Sequence, residues 1–268
     1  MATYTSERYV ETQLNESVLL GISVVISVIY TVIKLIGRLL ILPIERDNIE
    51  KGGKVLKDYT RKLETITNND ELTVYSFKES KPEAFYAGGN SIFVSTGLTR
   101  LLNEKETMGV ISHEYGHYKK KHMAKDTSFM TIAAFSILGI TTPLFIYARS
   151  ILGGWTFIAY ILTNVGLSRF INILRNMTVG KRYELEADSY AKKLGYGKEL
   201  KSALIKMDRF YAKVLCKNLS KEECKLLVDP PASDPHPTTD VRAKNLLMSL
   251  MSSPRKILSF MRTKKSII

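Results

Sequence analysis

Cysteine is nearly absent from this chain: 268 residues contain two, Cys216 and Cys224. They stand eight apart in a segment that otherwise reads as charged and helical, so a disulfide framework is excluded as the organising principle and the pair reads as ordinary thiols of a reducing compartment. Internal repeats and low-complexity tracts are also lacking, which leaves repeat architectures without support. Charge is missing from three long stretches: Ser17 to Ile33 has none over 17 residues, Thr127 to Ala148 none over 22, and Ser150 to Ser168 none over 19. Each approaches the roughly 20 residues a helix needs to cross about 30 Å of hydrocarbon. Three apolar core helices of a soluble bundle are the competing reading, but buried soluble helices seldom run this long without a charge. The length allows one or two domains with a substantial core.

Positive charge is in excess, with 39 Lys and Arg against 26 Asp and Glu, a net +13. On an evenly mixed soluble chain this would suggest nucleic acid; here it reads as a topology signal and an attraction to anionic lipid, and no nucleic-acid partner is expected. The first sixteen residues hold one basic residue, Arg8, whereas Lys34, Arg38, Arg46, Lys51, Lys54 and Lys57 follow the first uncharged run. Lys119, Lys120, Lys121 and Lys125 precede the second run, only Arg149 stands between the second and third, and Arg169, Arg175, Lys181 and Arg182 follow the third. The positive-inside rule then predicts three spans with the amino terminus outside and the remaining polar segments cytoplasmic. Glu7, Glu11 and Glu16 precede the first run in place of a cationic flank, so it reads as a retained anchor and not a signal peptide.

Between the apolar runs the pattern is mixed. Ile49 to Asn68 has helical spacing, and Leu72 to Phe77 is a β-prone run after the Asn68-Asn69-Asp70 break. Ala84 to Ala87 and Ser91 to Val94 flank Gly88-Gly89-Asn90 as a hairpin. Thr96-Gly97-Leu98 starts a helical turn, and Asn103 with Glu106 three residues on predicts a capping box opening a helix that runs to about His122. Helix dominates after Asn176, with breaks at Gly195 to Gly197 and at Pro230, Pro231, Pro235 and Pro237. The fold expected is mainly α with a small antiparallel sheet.

The chemistry is concentrated in the helix after Asn103. His113-Glu114-Tyr115-Gly116-His117 is an HExxH sequence, which sets two imidazoles one turn apart on one face, where both can reach a single zinc ion. Glu114 lies beside that metal position, free to act on water. Of the other two histidines, His122 falls about 180° round the helix from His113 and is expected to be exposed beside the lysines, and His236 by itself reads as a loop histidine. A catalytic zinc needs a third protein ligand. Arg182-Tyr183-Glu184-Leu185-Glu186-Ala187-Asp188 offers Glu184 and Asp188 on one face, with Glu186 about 200° away and Ala187 and Ala191 small enough for close helix approach. These acids could equally line a solvated helix; beside an HExxH the ligand reading is favoured for Glu184, with Asp188 accepting the free N–H of a ligand histidine.

HExxH followed by a hydrophobic hairpin and then ExxAD resembles the integral-membrane gluzincins that include the HtpX-type proteases and the CaaX prenyl proteases, over about Ala84 to Arg242. Ala84-Phe85, Gly88-Gly89 and Ile92 to Leu98 are similar to the family's NAF…G…IxVxxGL segment, an edge strand that pairs with substrate; Glu83 stands where the family has asparagine. Asp234-Pro235-His236-Pro237 and Arg242 resemble its HP…R stretch. The resemblance implies a gluzincin-like core, one zinc per chain, peptide-bond hydrolysis, Glu184 as third ligand, and supporting catalytic roles for His236 and Arg242. HtpX-type members commonly have four spans, against three here.

The organisation expected is a short extracytoplasmic segment over 1–16, an anchor over 17–43, a first part of the zinc-protease domain over 44–126, a transmembrane hairpin over 127–168, and the second part over 169–268. That last part ends in a tail from Lys244 that mixes apolar and basic residues, either a helix on an anionic membrane surface or an ordinary packing helix. The function expected is a metalloendopeptidase of the cell membrane with a cytoplasmic catalytic domain, acting on peptide or membrane-protein substrates in quality control. The edge strand Ala84, Phe85, Tyr86, Ala87 would receive the peptide. Prenyl-peptide processing is the alternative, disfavoured because three spans cannot enclose a large chamber. A non-catalytic zinc-binding adaptor is a further alternative, against which the intact Glu114 argues.

Overall fold

The computed structural model of the chain describes residues 18, 21–22, 24–33, 46–47, 49–216 and 234–251. The segment 1–16, Cys224 and the tail beyond Met251 lie outside the described residues. The chain divides into two compact units, one drawn from residues 1–42 and 124–174, the other from 43–123 and 175–268.

The second unit holds a four-stranded sheet with β1 Lys54–Val55, β2 Thr73–Phe77, β3 Ala84–Tyr86 and β4 Ser91–Ser95, in the order β1-β2-β4-β3. β3 and β4 form the expected antiparallel hairpin, paired Phe85 to Phe93, around Gly88 and Gly89 at φ +83° and +64°, which a side chain would resist. The sheet is mixed, however, and not antiparallel throughout, because β2 and β4 run parallel with Tyr75 opposite Phe93. The hairpin causes this: it turns β3 to the outside and returns β4 between β3 and β2. All five residues of β4 are buried, which accounts for a continuous Ile92-Phe93-Val94 run in place of alternation. The helical reading of Ile49 to Asn68 is also interrupted. Gly52 and Gly53 end a first turn, β1 follows, and helix α1 covers Lys57–Thr67, closing on Asn68 in the left-handed conformation.

Ser95 caps α2, Thr96–Leu101, by accepting the Leu98 N–H. α3, Glu104–Lys120, opens on the expected capping box, with Asn103 Oδ1 accepting the Glu106 N–H and Glu106 accepting the Asn103 N–H. α6, Lys181–Lys193, α7, Gly197–Leu215, and α8, Thr239–Met251, complete the unit, after a π-helical turn over Asn176–Gly180. α3 packs on α6, α7 and β3, with Met108, Ile111, Leu200, Val74 and Ile92 in one core. Its contact with α6 is close enough that a Cβ on Gly116 would lie 2.8 Å from Ala187 Cα. Cys216, just past α7, is disulfide-bonded and not the free thiol expected.

The first unit contains α4, His122–Leu152, beyond its first residues, and α5, Thr156–Arg175. Apolar side chains face outward on both, as at Ile132, Ile140 and Leu162, a poor arrangement for a soluble core helix. Polar groups meet between them: Thr142 bonds the Tyr160 hydroxyl at 2.8 Å, and the Thr141 hydroxyl lies 3.1 Å from Asn164 Oδ1. Two helices among the described residues are long and apolar enough to cross a membrane, where three were expected. The described part of the first run is a shorter apolar helix, Val24–Ile33.

Replacing Gly116 by Ala is expected to destabilise the protein by roughly 1–3 kcal/mol through overpacking against Ala187. Gly139→Ala, with nothing within 4 Å of the added atom, should be neutral or slightly stabilising. Denaturant midpoints of the two variants check the contrast.

Candidate active site

α3 carries His113, Glu114 and His117 in its second half, where residues 106–116 are all buried. The turn preceding the motif buries Met108, Val110 and Ile111, so the helix is fixed by packing before the histidines begin. One turn of helix separates the two imidazoles, and their Nε2 atoms face each other at 3.1 Å. Glu184 on α6 lies across this pair, with Oε2 at 3.5 Å from His113 Nε2 and Oε1 at 3.3 Å from His117 Nε2. These three residues form the one His, Cys, Asp and Glu grouping among the described residues that could hold a metal ion. A tetrahedral site with bonds of about 2.0–2.1 Å has ligand atoms roughly 3.3–3.4 Å apart, and the observed separations fit. Two imidazole nitrogens and a carboxylate turned toward one point suit zinc.

Further groups hold these side chains from behind. His113 Nδ1 donates to Asp188 Oδ1 at 2.8 Å, and Asp188, fully buried, accepts Arg242 Nε at 2.9 Å and Nη2 at 2.6 Å. Burial opposes the charged form of Asp188, but its bonds to Arg242 and His113 win and hold the carboxyl below its ordinary value. Burial likewise opposes a charge on His113, yet the bonds to Asp188 and Glu184 raise its pKa to about 10. The pocket favours positive charge at this point. Arg242 is itself buried, locked to Asp188, and its Nη1 is 3.5 Å from Glu184.

Glu114 Oε2 accepts the backbone N–H of Tyr86 on the edge strand β3 at 2.9 Å. His236 is mostly exposed, with Nδ1 at 3.1 Å from Glu184 Oε2. A cleft of about 790 Å³ opens here, lined among others by Ala84, Glu114, Leu204, Met207, Tyr211 and His236. The structure thus brings together the HExxH groups, Glu184, Asp188, His236 and Arg242, with the strand Ala84–Tyr86 beside them; Ala87, expected in that strand, lies just past its end.

His122 departs from expectation. It is buried, not exposed, with Nδ1 at 3.1 Å from His117 Nδ1 and Nε2 at 3.3 Å from Glu186 Oε2. The 100° per residue extrapolation fails because α3 stops at Lys120. Lys121 takes φ 54° and ψ 38°, and the chain re-enters helix in a new direction at His122. No residue in the Lys119-Lys120-Lys121 run favours that left-handed step, so the sequence carried no signal for it.

An HExxH helix whose cluster is completed by a carboxylate from a second helix, beside a small sheet ending in a half-buried edge strand, is an arrangement that suits a metalloprotease. The chain belongs to peptidase family M48, whose sequence pattern it matches over residues 54–249. Members of that family are metalloproteases. The chain is 28% identical over 172 residues to the CAAX prenyl protease 1 homolog of Arabidopsis thaliana, covering 60% of this chain and 39% of that one. It is 29% identical over 155 residues to the protease HtpX homolog of Burkholderia thailandensis, covering 56% and 54%. It thus spans about half or less of the length of these curated relatives. The crystal structure of S. mikatae Ste24p shares the fold, with a TM-score of 0.57 at 20% identity, covering 83% of this chain and 57% of that one.

Arg242→Met is expected to cost about 3–5 kcal/mol, because it strands the buried Asp188 carboxylate. The double variant Asp188→Asn, Arg242→Met should recover part of that loss. Denaturation of the three proteins at neutral pH measures it, and equal stability of the single variant and wild type would contradict the pairing.

Proposed function

We propose that this protein is a membrane-embedded zinc metalloendopeptidase that hydrolyses peptide bonds at the cytoplasmic face, in membrane-protein quality control. The observation that carries the reading is the convergence of His113, His117 and Glu184 with Glu114 one residue along the same helix. His113, His117 and Glu184 would hold one zinc ion per chain, which when bound acts as a Lewis acid and lowers the pKa of water toward 7.

Glu114 takes the proton from the attacking water and delivers it to the leaving amine. Its carboxylate is held toward the cleft by the Tyr86 N–H. His236, exposed on the cleft wall, supplies a donor to the developing oxyanion. Arg242 positions Asp188 and through it the His113 ring, and it also lines the cleft beside Glu184.

The edge strand gives the substrate a place. Tyr86 turns its N–H away from β4, and by the alternation of an antiparallel pair, Ala84 presents both its N–H and C=O on that same outer side. An extended peptide adds there as a further strand, bound through main-chain atoms with little sequence preference. The outward apolar faces of α4 and α5 support membrane insertion, and the distribution of lysine and arginine supports a cytoplasmic site. The Arabidopsis relative's name favours a second reading, prenyl-peptide processing, which would show as cleavage confined to prenylated peptides.

Zinc content and peptide cleavage of the full chain in detergent test the assignment. Glu114→Gln should keep zinc and lose cleavage by about 10²- to 10⁴-fold, as expected for a positioned acid or base. His113→Ala and His117→Ala should lose zinc, and unchanged metal content would sink the site. For the substrate strand, Ala84→Pro removes one outward N–H without breaking the β3–β4 ladder. It should raise KM while leaving the fold intact, and an unchanged KM would refute strand addition.

A further inference from the structure

We propose that His122 and Glu186 are positioning residues for His117, forming a relay that fixes the tautomer and orientation of its ring; this rests on the zinc reading above. His117 has two ring nitrogens. Nε2 faces His113 and Glu184, and Nδ1 points the opposite way, to His122 Nδ1 at 3.1 Å. If Nε2 is to offer its lone pair to a metal, the proton of the neutral ring must sit on Nδ1.

That single requirement sets every later proton. His117 Nδ1–H donates to His122 Nδ1, so His122 carries its own proton on Nε2. His122 Nε2–H then donates to Glu186 Oε2 at 3.3 Å, and Glu186 Oε1 accepts Arg182 Nε at 2.8 Å. No nitrogen in the chain is asked to donate and accept at once. The His122 ring is also clamped, stacked on Tyr183 at 4.2 Å between centroids with 10° between planes.

The arrangement repeats what stands behind the other ligand. His113 Nδ1 reaches a carboxylate, Asp188, that is held by a guanidinium, Arg242. His117 reaches a carboxylate held by a guanidinium as well, with one imidazole interposed. α6 therefore supplies three acids with three separate tasks: Glu184 toward the metal position, Asp188 behind His113, and Glu186 behind His117 by way of His122. An imidazole is the side chain that spans this gap, because its two nitrogens accept on one side and donate on the other.

The test is zinc affinity of the full-length protein in detergent, measured by competition with a chromophoric chelator, together with the visible spectrum of the cobalt-substituted protein. His122→Phe keeps the ring and its stacking on Tyr183 but removes the acceptor. It should weaken zinc binding by about 10- to 100-fold and shift the cobalt bands. His122→Asn, which restores an acceptor near His117 Nδ1, should recover much of the affinity, and Glu186→Gln should give an intermediate loss. If His122→Phe fails to fold, Glu186→Gln, a partly exposed position, decides alone. Wild-type affinity and an unshifted spectrum in these variants would make His122 a packing residue and overturn the relay. A wild-type protein that takes up no zinc would instead overturn the zinc reading on which the relay stands.

Discussion

The close contact of α3 with α6 is the constraint on which the site depends. Two histidines on one helix supply only one edge of a metal site; the third ligand must come from elsewhere, and a carboxylate on a short glutamate side chain reaches only if the helices nearly touch. Gly116 between the two histidines, and Ala187 between Glu184 and Asp188, make that possible by removing side-chain volume at the crossing. Neither residue contacts the metal position, yet the ligand separations follow from them.

Close approach buries charge, and the second half of the problem is to keep it paired. Glu184, Asp188 and Arg242 are all buried, and a lone charge there would carry a desolvation cost of several kcal/mol. Each has partners on at least two other elements: Glu184 faces both α3 histidines and His236, and Asp188 joins α3 to α8 through His113 and Arg242. Burial pushes the Glu184 carboxyl up, but its three histidine contacts hold it well below the usual carboxylate range. The guanidinium of Arg242 adds a fixed positive charge beside both buried carboxylates.

Much of this was legible in the sequence, and the part that was not has a definite cause. HExxH, the i to i+4 relation of Glu184 to Asp188, and the small residues at 187 and 191 are all consequences of helical periodicity, which side-chain identity reports directly. The capping box at Asn103 is local chemistry and was equally readable. Periodicity misled where a helix ended without a residue that marks its end. His122 was placed on the wrong face because Lys121 adopts a left-handed conformation that lysine does not advertise. Sheet direction failed for a similar reason: strands are visible in composition, but whether β4 lies outside or inside its hairpin partner is decided by long-range pairing.

The hydrogen bond from Tyr86 to Glu114 joins the strand that would receive a peptide to the group that would act on it. A peptide can add to β3 only with its own backbone donors and acceptors released, so a helix or a paired strand is refused whatever its side chains. An enzyme working in that way would read the local opening equilibrium of its substrate. When opening and closing are fast, cleavage scales with the open fraction, and each 1.4 kcal/mol or so of local stability slows it about tenfold. A damaged protein and its intact counterpart, identical at the scissile bond, would then be told apart by thermodynamics alone.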